Sequence, residues 1–217
     1  MQDLTQQPVG IYDDGWIQDD PFFDDMTAIS LVHTEEGFVI AADGRMRLLD
    51  EILKPVFASK ESWNQQKIFR GTLGGSEIAW AVSGPVYSWD CIAFNLVNEI
   101  HGAMGAASGY FPESALSQYS SVLLGLFSSA LHSSLCDIEK KGAVVFKDST
   151  EPFATIFMAG YFGYGGMPVN AAIRLSHRGG AWLEPELIMR NPPQEMFAGP
   201  KAIYESYIGN SEDVRFT

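Results

Sequence analysis

The sequence predicts an α+β fold built on antiparallel sheet. Strand-length apolar runs come in pairs joined by short turns. Two helical stripes sit side by side in the middle of the chain, and strands return after them. The resulting order, ββ-ββ-αα-βββ, uses hairpins and not alternating βαβ units, which excludes a doubly wound parallel sheet. The chain has 217 residues, 46% of them hydrophobic and 19% charged. That suffices for one domain with a sizeable core and excludes full disorder.

Residues 1–26 hold seven Asp and no Lys or Arg, along with Pro8, Gly10, Gly15 and Pro21. No period is sustained there, so the segment reads as an acidic leader or propeptide-like extension, with Trp16, Phe22 and Phe23 as its only strong apolar anchors. The folded domain is expected over 27–217. Residues 28–34 partly alternate, Phe38-Val-Ile-Ala-Ala42 is a continuous apolar run, and Glu35-Glu36-Gly37 between them signals a turn: a first hairpin. Lys67-Ile-Phe-Arg70 leads through Gly71, Gly74 and Gly75 to Glu77-Ile-Ala-Trp-Ala-Val82, a second hairpin broken at Ser83-Gly84-Pro85. Trp89, Ile92, Ala93, Leu96, Val97, Ile100 and Met104 recur at helical spacing, and Gly105, Gly109 and Pro112 end that helix. A second stripe runs from Leu116 through Tyr119, Leu123, Leu126 and Phe127 to Ala130 and Leu131. Three strands are expected over 154–161, 169–175 and 183–188, separated by turns at Gly163–Gly166 and Gly179-Gly180.

Charge and cysteine content narrow the partners. A formal net charge of −13 argues against nucleic acid and against anionic membrane surfaces. No uninterrupted apolar run reaches the ~18 residues of a membrane span, and the N-terminus lacks the basic-then-apolar pattern of a secretion signal. Cys91 and Cys136 fall in helical stretches 45 positions apart, which suits buried thiols in a reducing cytosol. A cytoplasmic protein is expected. His33, His101, His132 and His177 have no ligand spacing, and Gly160–Gly166 lacks the Lys-Ser/Thr of a phosphate loop. No metal or cofactor is therefore expected. The acidic pairs Asp13-Asp14, Asp19-Asp20 and Asp24-Asp25 read as a solvated tail.

Hairpin geometry locates the candidate chemistry. A first turn centred on Glu35-Glu36 sets Thr27 and Ala28 opposite Gly44 and Asp43. A second turn centred on Gly74-Gly75 sets Lys67 opposite Val82, beside Ser83-Gly84. If the hairpins lie side by side with their open ends aligned, a hydroxyl (Thr27), a carboxylate (Asp43), an ammonium (Lys67) and a backbone N–H (Gly84) converge. Those are the parts of a nucleophilic acyl-transfer site.

The run Met26-Thr-Ala-Ile-Ser-Leu-Val-His-Thr-Glu-Glu-Gly-Phe-Val-Ile-Ala-Ala-Asp-Gly-Arg45 resembles the opening of proteasome β-type subunits and their bacterial relatives. In that pattern an N-terminal Thr begins a strand that returns to Ala-Ala-Asp-x-Arg. Lys67-Ile68-Phe69 resembles the family's next signature after an insertion of about eight residues within 46–66. Ser83-Gly84 resembles its Ser-Gly, and a weaker likeness runs through both helices to Phe157-Met-Ala-Gly-Tyr161, covering roughly 27–205.

The resemblance implies an N-terminal-nucleophile (Ntn) hydrolase: a four-layer αββα sandwich of two antiparallel sheets, here with one helical layer thin or missing. It implies that Thr27 Oγ attacks an amide carbonyl with its own α-amine as base. Lys67 lowers the proton affinity of the site, Asp43 holds Lys67, and the Gly84 N–H receives the oxyanion. The implied activity is a threonine-type peptidase or amidohydrolase acting after removal of residues 1–26. A homo-oligomeric ring or stack is implied, with a peptide or amide as substrate. The alternative is a noncatalytic structural or interaction subunit of the same fold. Two departures bear on that choice. Met26 stands where the family's precursors have Gly, and Ala198-Gly199-Pro200 stands where the family has Gly-Ser-Gly. The chain stops at Thr217, before the family's last helices and strands, so a partner subunit or the acidic extension is expected to cover the exposed sheet.

Overall fold

The computed structural model describes residues 28–42, 48–49, 55–56, 66–84, 94–109, 120–142, 146, 148, 152–163, 165–190 and 193–198. The expected extension, 1–26, lies outside them, as do Thr27, Asp43 and Cys91.

The first hairpin joins β1 (Ile29–Thr34) to β2 (Gly37–Ala42) in the expected register, from Ile29↔Ala42 to Thr34↔Gly37. Its turn is tightened by Thr34, whose hydroxyl donates to the Gly37 carbonyl and accepts the Glu36 N–H. Two short strands follow, β3 (Leu48–Leu49) and β4 (Pro55–Val56), paired with each other. The second hairpin joins β5 (Ile68–Leu73) to β6 (Ser76–Ser83), again in the expected register, from Ile68↔Ala81 to Leu73↔Ser76. Its turn needs positive φ at both Gly74 (58°) and Gly75 (82°), a conformation that glycine adopts without a Cβ penalty.

Helix α1 (Leu96–Gly109) opens on Asn95, whose Oδ1 accepts the Asn98 N–H as an N-cap. It buries Leu96, Val97, Ile100, Ala103, Met104 and Ala107. Gly105 does not end it, contrary to expectation. That position is exposed, so glycine there costs only the ~1 kcal/mol of its helix propensity. Helix α2 (Ser120–Lys140) is 21 residues long and runs well past the expected stripe, burying Leu123, Leu124, Phe127, Ser128, Leu131 and Leu135. By length and composition it is apolar enough to cross a membrane. No single uninterrupted apolar run had suggested this, but core helices pass the same test, and the buried face of α2 packs into the core.

The later strands are β7 (Ala154–Phe162), β8 (Met167–Leu175), a two-residue hairpin of β9 (His177–Arg178) and β10 (Ala181–Trp182), β11 (Glu186–Arg190) and β12 (Met196–Ala198). β7 and β8 match expectation. The third expected strand sits three residues further on, as β11, because Gly179-Gly180 folds the chain back into the small hairpin first. β12 was not foreseen.

Two sheets result. The larger has the antiparallel order β11-β8-β7-β6-β5, and the smaller has the order β12-β1-β2. Strand alternation gives the larger sheet two apolar faces. One, with Ile78, Trp80, Val82, Ile156, Met158, Ala171 and Ile173, packs beneath α1 and α2. The other, with Ala81, Phe157, Ala159, Ala172 and Ile188, packs against Ile29, Leu31 and Met196 of the smaller sheet. The described residues thus form three layers: helices, large sheet and small sheet. Asn170, fully buried, ties the two sheets through the segment before β12. Its Nδ2 donates to the Gln194 carbonyl and its Oδ1 accepts the Gln194 N–H.

Candidate active site

The two hairpins belong to different sheets and lie over one another, not side by side, with their open ends toward the same end of the large sheet. At the turn end, Phe38 rests on Tyr161 with ring centroids 5.5 Å apart. Tyr161 follows Gly160, the partner of Ile78 near the Gly74-Gly75 turn. Toward the other end, Ile29 packs with Ala81 and Phe157. β1 therefore begins, and β2 finishes, at the end of the large sheet where β5 begins and β6 finishes.

Lys67 directly precedes β5. It is half-buried and already engaged, and continuing the β5–β6 register sets it opposite Val82. Thr27 and Asp43 lie outside the described residues. Ala28 and Ala42 are the described positions that lead to them, at this same end.

Gly84 follows β6 with φ of 114°. A Cβ there would stand 2.5 Å from the Phe153 carbonyl oxygen and 2.8 Å from the Ala154 Cα. The close approach of two backbones, together with the positive φ, explains the glycine. Gly84→Ala is expected to lower stability by about 1–3 kcal/mol from backbone strain alone. Urea melts of variant and wild type check this, and an unchanged midpoint would mean that the backbone here is not constrained.

Behind Gly84, Phe153 is held in an aromatic cluster. Its ring centroid lies 5.1 Å from Trp182, 5.7 Å from Phe146 and 6.2 Å from Phe94. His177, 1% exposed, supports this cluster on its far side, its ring 5.3 Å from Trp182 and 5.9 Å from Phe146. Its Nε2 is 2.6 Å from Glu139 Oε1 on α2, and its Nδ1 is 2.9 Å from Asp148 Oδ1, close but not aligned as a hydrogen bond. Asp148 also accepts the Gly180 N–H. Chiefly that backbone hydrogen bond, with Gly179 N–H and His177 adding to it, holds the Asp148 carboxyl below the usual carboxylate range. A lowered folded value means that the tie is in place above the ordinary value of about 3.9 and is lost as pH falls through the lowered one. Gly180 amide protection should therefore hold at neutral pH and weaken only in acid. In Asp148→Asn it should be weaker and insensitive over that range, which amide exchange measured by NMR checks.

The sequence reading missed a row of polar side chains on the inter-sheet face at this end. Ser83 pairs across the strands with Thr155, Thr155 with Arg174, and Arg174 with Glu186. Ser83 is 0%, Thr155 1% and Arg174 7% exposed. Arg174 Nη1 donates to Glu186 Oε2 at 3.0 Å. Thr155 Oγ1 has no hydrogen-bond partner among the described residues. The available signal was a charged residue inside the apolar run Val169-Asn-Ala-Ala-Ile-Arg-Leu175, read only as strand.

A second cluster lies on α2, with Cys136 Sγ 3.5 Å from His132 Nε2 and His132 Nδ1 3.4 Å from Glu184 Oε1. It lacks the chemistry of a nucleophile. Burial, as the largest cause, pushes the Cys136 thiol up, away from thiolate. His132 Nε2 also lies 3.3 Å from the Trp182 carbonyl oxygen, which competes with the Cys136 sulfur for that nitrogen. Among the described residues, no three His, Cys, Asp or Glu side chains are grouped to hold a metal ion. Set against the sequence profiles of known families and against characterised protein sequences, the chain matches none.

Proposed function

We propose that this chain is a threonine-type amide hydrolase or peptidase of the proteasome-like Ntn kind, acting once Thr27 becomes the first residue. The observation that carries the reading is the alignment of the two hairpins: both registers and the shared open end agree with what the chemistry requires. The three described layers fit an αββα sandwich with its second helical layer reduced. The reading includes a cytoplasmic homo-oligomer in which further copies cover the outer face of the small sheet.

In the proposed reaction, Thr27 Oγ attacks the amide carbonyl while its own α-amine takes the hydroxyl proton through a water. The reference pKa of an α-amine, about 7.7–8.0, suits that role near neutral pH. The Lys67 ammonium, held by Asp43, disfavours protonation of the amine. The Gly84 N–H donates to the tetrahedral oxyanion, and one such donor is typically worth about 10²–10³ in rate. Collapse expels the leaving amine with the transferred proton, and water hydrolyses the resulting ester.

The rival reading is a noncatalytic subunit of the same fold, favoured by Ala198-Gly199-Pro200, which offers no hydroxyl where the family has one. A β-lactone electrophile separates the two. Wild-type protein is expected to take up one label on Thr27, and Thr27→Ala none. Absence of label on the wild type, or label persisting in the variant, would contradict the proposal.

A further inference from the structure

We propose that the outer edge of β5 pairs with the same edge of a second copy of this chain, joining two large sheets across a two-fold axis. The inference does not depend on the reading of Thr27. β5 stands at one end of the order β11-β8-β7-β6-β5. An edge strand presents unpaired N–H and C=O groups, and proteins blunt such edges with proline, charge or a bulge. β11, at the opposite edge, is bracketed in sequence by Pro185 and Pro192. β5, Ile-Phe-Arg-Gly-Thr-Leu, has six residues without a proline, and its register with β6 runs without a bulge. Arg70 is its one charge.

The hairpin fixes which groups face outward. With a two-residue turn, the closing pair Leu73↔Ser76 exchanges both backbone hydrogen bonds, as do Gly71↔Ile78 and Phe69↔Trp80 in their turn. The N–H and C=O groups of Ile68, Arg70 and Thr72 therefore point away from β6. Two side-chain bonds agree with this. The Ile68 carbonyl accepts from Gln66 Nε2 at 2.9 Å, and the Thr72 carbonyl accepts from Ser108 Oγ at the outer limit of 3.5 Å. The Arg70 N–H and C=O and the Thr72 N–H have no partner among the described residues. Ile68 is 36% exposed, and Arg70 and Thr72 are exposed, so a second strand can approach. Charge and occupancy then select the register. Opposed residues of an antiparallel pair share a face, so the two-fold axis falls on a residue. An axis on Arg70 would oppose two guanidinium groups, which is destabilising. An axis on Phe69 would need the Ile68 carbonyl that Gln66 already holds. An axis on Gly71 sets Arg70 opposite the second copy's Thr72 and Phe69 opposite its Leu73. Each pairing of Arg70 with Thr72 then exchanges both backbone bonds, which engages the open groups just named.

Sedimentation equilibrium over a range of concentrations, with amide exchange of Arg70 and Thr72 by NMR, tests the pairing on the full chain. Wild type is expected to associate reversibly, with both amides protected at high concentration and exchanging freely on dilution. Thr72→Glu sets a carboxylate opposite each Arg70 and is expected to tighten association at least threefold. Thr72→Arg opposes like charges and is expected to weaken it at least tenfold. Thr72→Pro removes an outward N–H that β6 does not use, so it is expected to abolish this association with an unchanged circular dichroism spectrum. A protein monomeric at every concentration would overturn the inference. So would assembly that leaves both amides exchanging freely, because the copies would then meet elsewhere. Protection that survives full dilution would also overturn it, since the edge would be bonded within its own chain. Association indifferent to the sign of the charge at position 72 would remove the Gly71 axis. If Thr72→Pro fails to fold, Thr72→Glu and Thr72→Arg still decide between these outcomes.

Discussion

Replacing Lys67 with alanine is expected to reduce hydrolysis of an amide reporter by about 10²–10⁴-fold, the usual range for losing a group that sets the protonation state of a reacting pair. The argument is electrostatic. The proposed base is an amine beside the nucleophile, and it can accept a proton only while neutral. A lysine ammonium beside it, as the proposal requires, disfavours a second positive charge. Without it the amine holds its proton more tightly, and the acid limb of the pH–rate profile moves to higher pH. Lys67→Arg keeps the charge in a different shape, so it should retain the pH profile better than the rate. A Lys67→Ala protein with unchanged turnover and profile would remove Lys67 from the site. Circular dichroism distinguishes loss of chemistry from loss of fold, because Lys67 lies before β5 and outside both apolar clusters.

Phe157→Ala is expected to cost about 3–5 kcal/mol, as for other fully buried aromatic truncations. Phe157 is 0% exposed and sits in the cluster that joins the sheets. Its strand neighbours across β6 and β8 are Ala81 and Ala172. Small residues on both sides leave the phenyl ring as the main volume facing Ile29 and Leu31, so little can move in to fill the space. The loss should concentrate on the small sheet, with amide exchange in β1 and β2 rising more than in α1 and α2. A cost under about 1 kcal/mol, or uniform loosening, would mean that the sheets are held together elsewhere.

The two hairpins were legible because everything that fixes them is local. Gly37 and the Gly74-Gly75 pair set the turns, and turn position fixes the register of a short hairpin, where a slip by one residue would exchange the two faces. The helices were legible from their stripes, although two bounds were not: the start of α1, at Leu96 on its Asn95 cap, seven positions after the stripe expected from Trp89, and the length of α2. Its later residues, Ser133, Ser134 and Asp137, have weak helix propensity, and tertiary contacts carry them. One is between the Ser134 hydroxyl and Glu99 on α1. β12 escaped notice because three residues give no period, and its partner β1 is distant in sequence. The clamp on His177 escaped for the same reason, since Glu139 and Asp148 reach it from two other parts of the chain. Of the four residues the sequence nominated, Lys67 and Gly84 are found at one end of the large sheet. Thr27 and Asp43 are outside the described residues, and only the strands leading to them can be placed.

Intact-mass measurement of the natively produced protein before and after reaction with the β-lactone tests the central claim most directly. The account predicts a chain whose first residue is Thr27 and which gains a single adduct on that residue. A population that keeps residues 1–26 in every molecule and gains no adduct would contradict it.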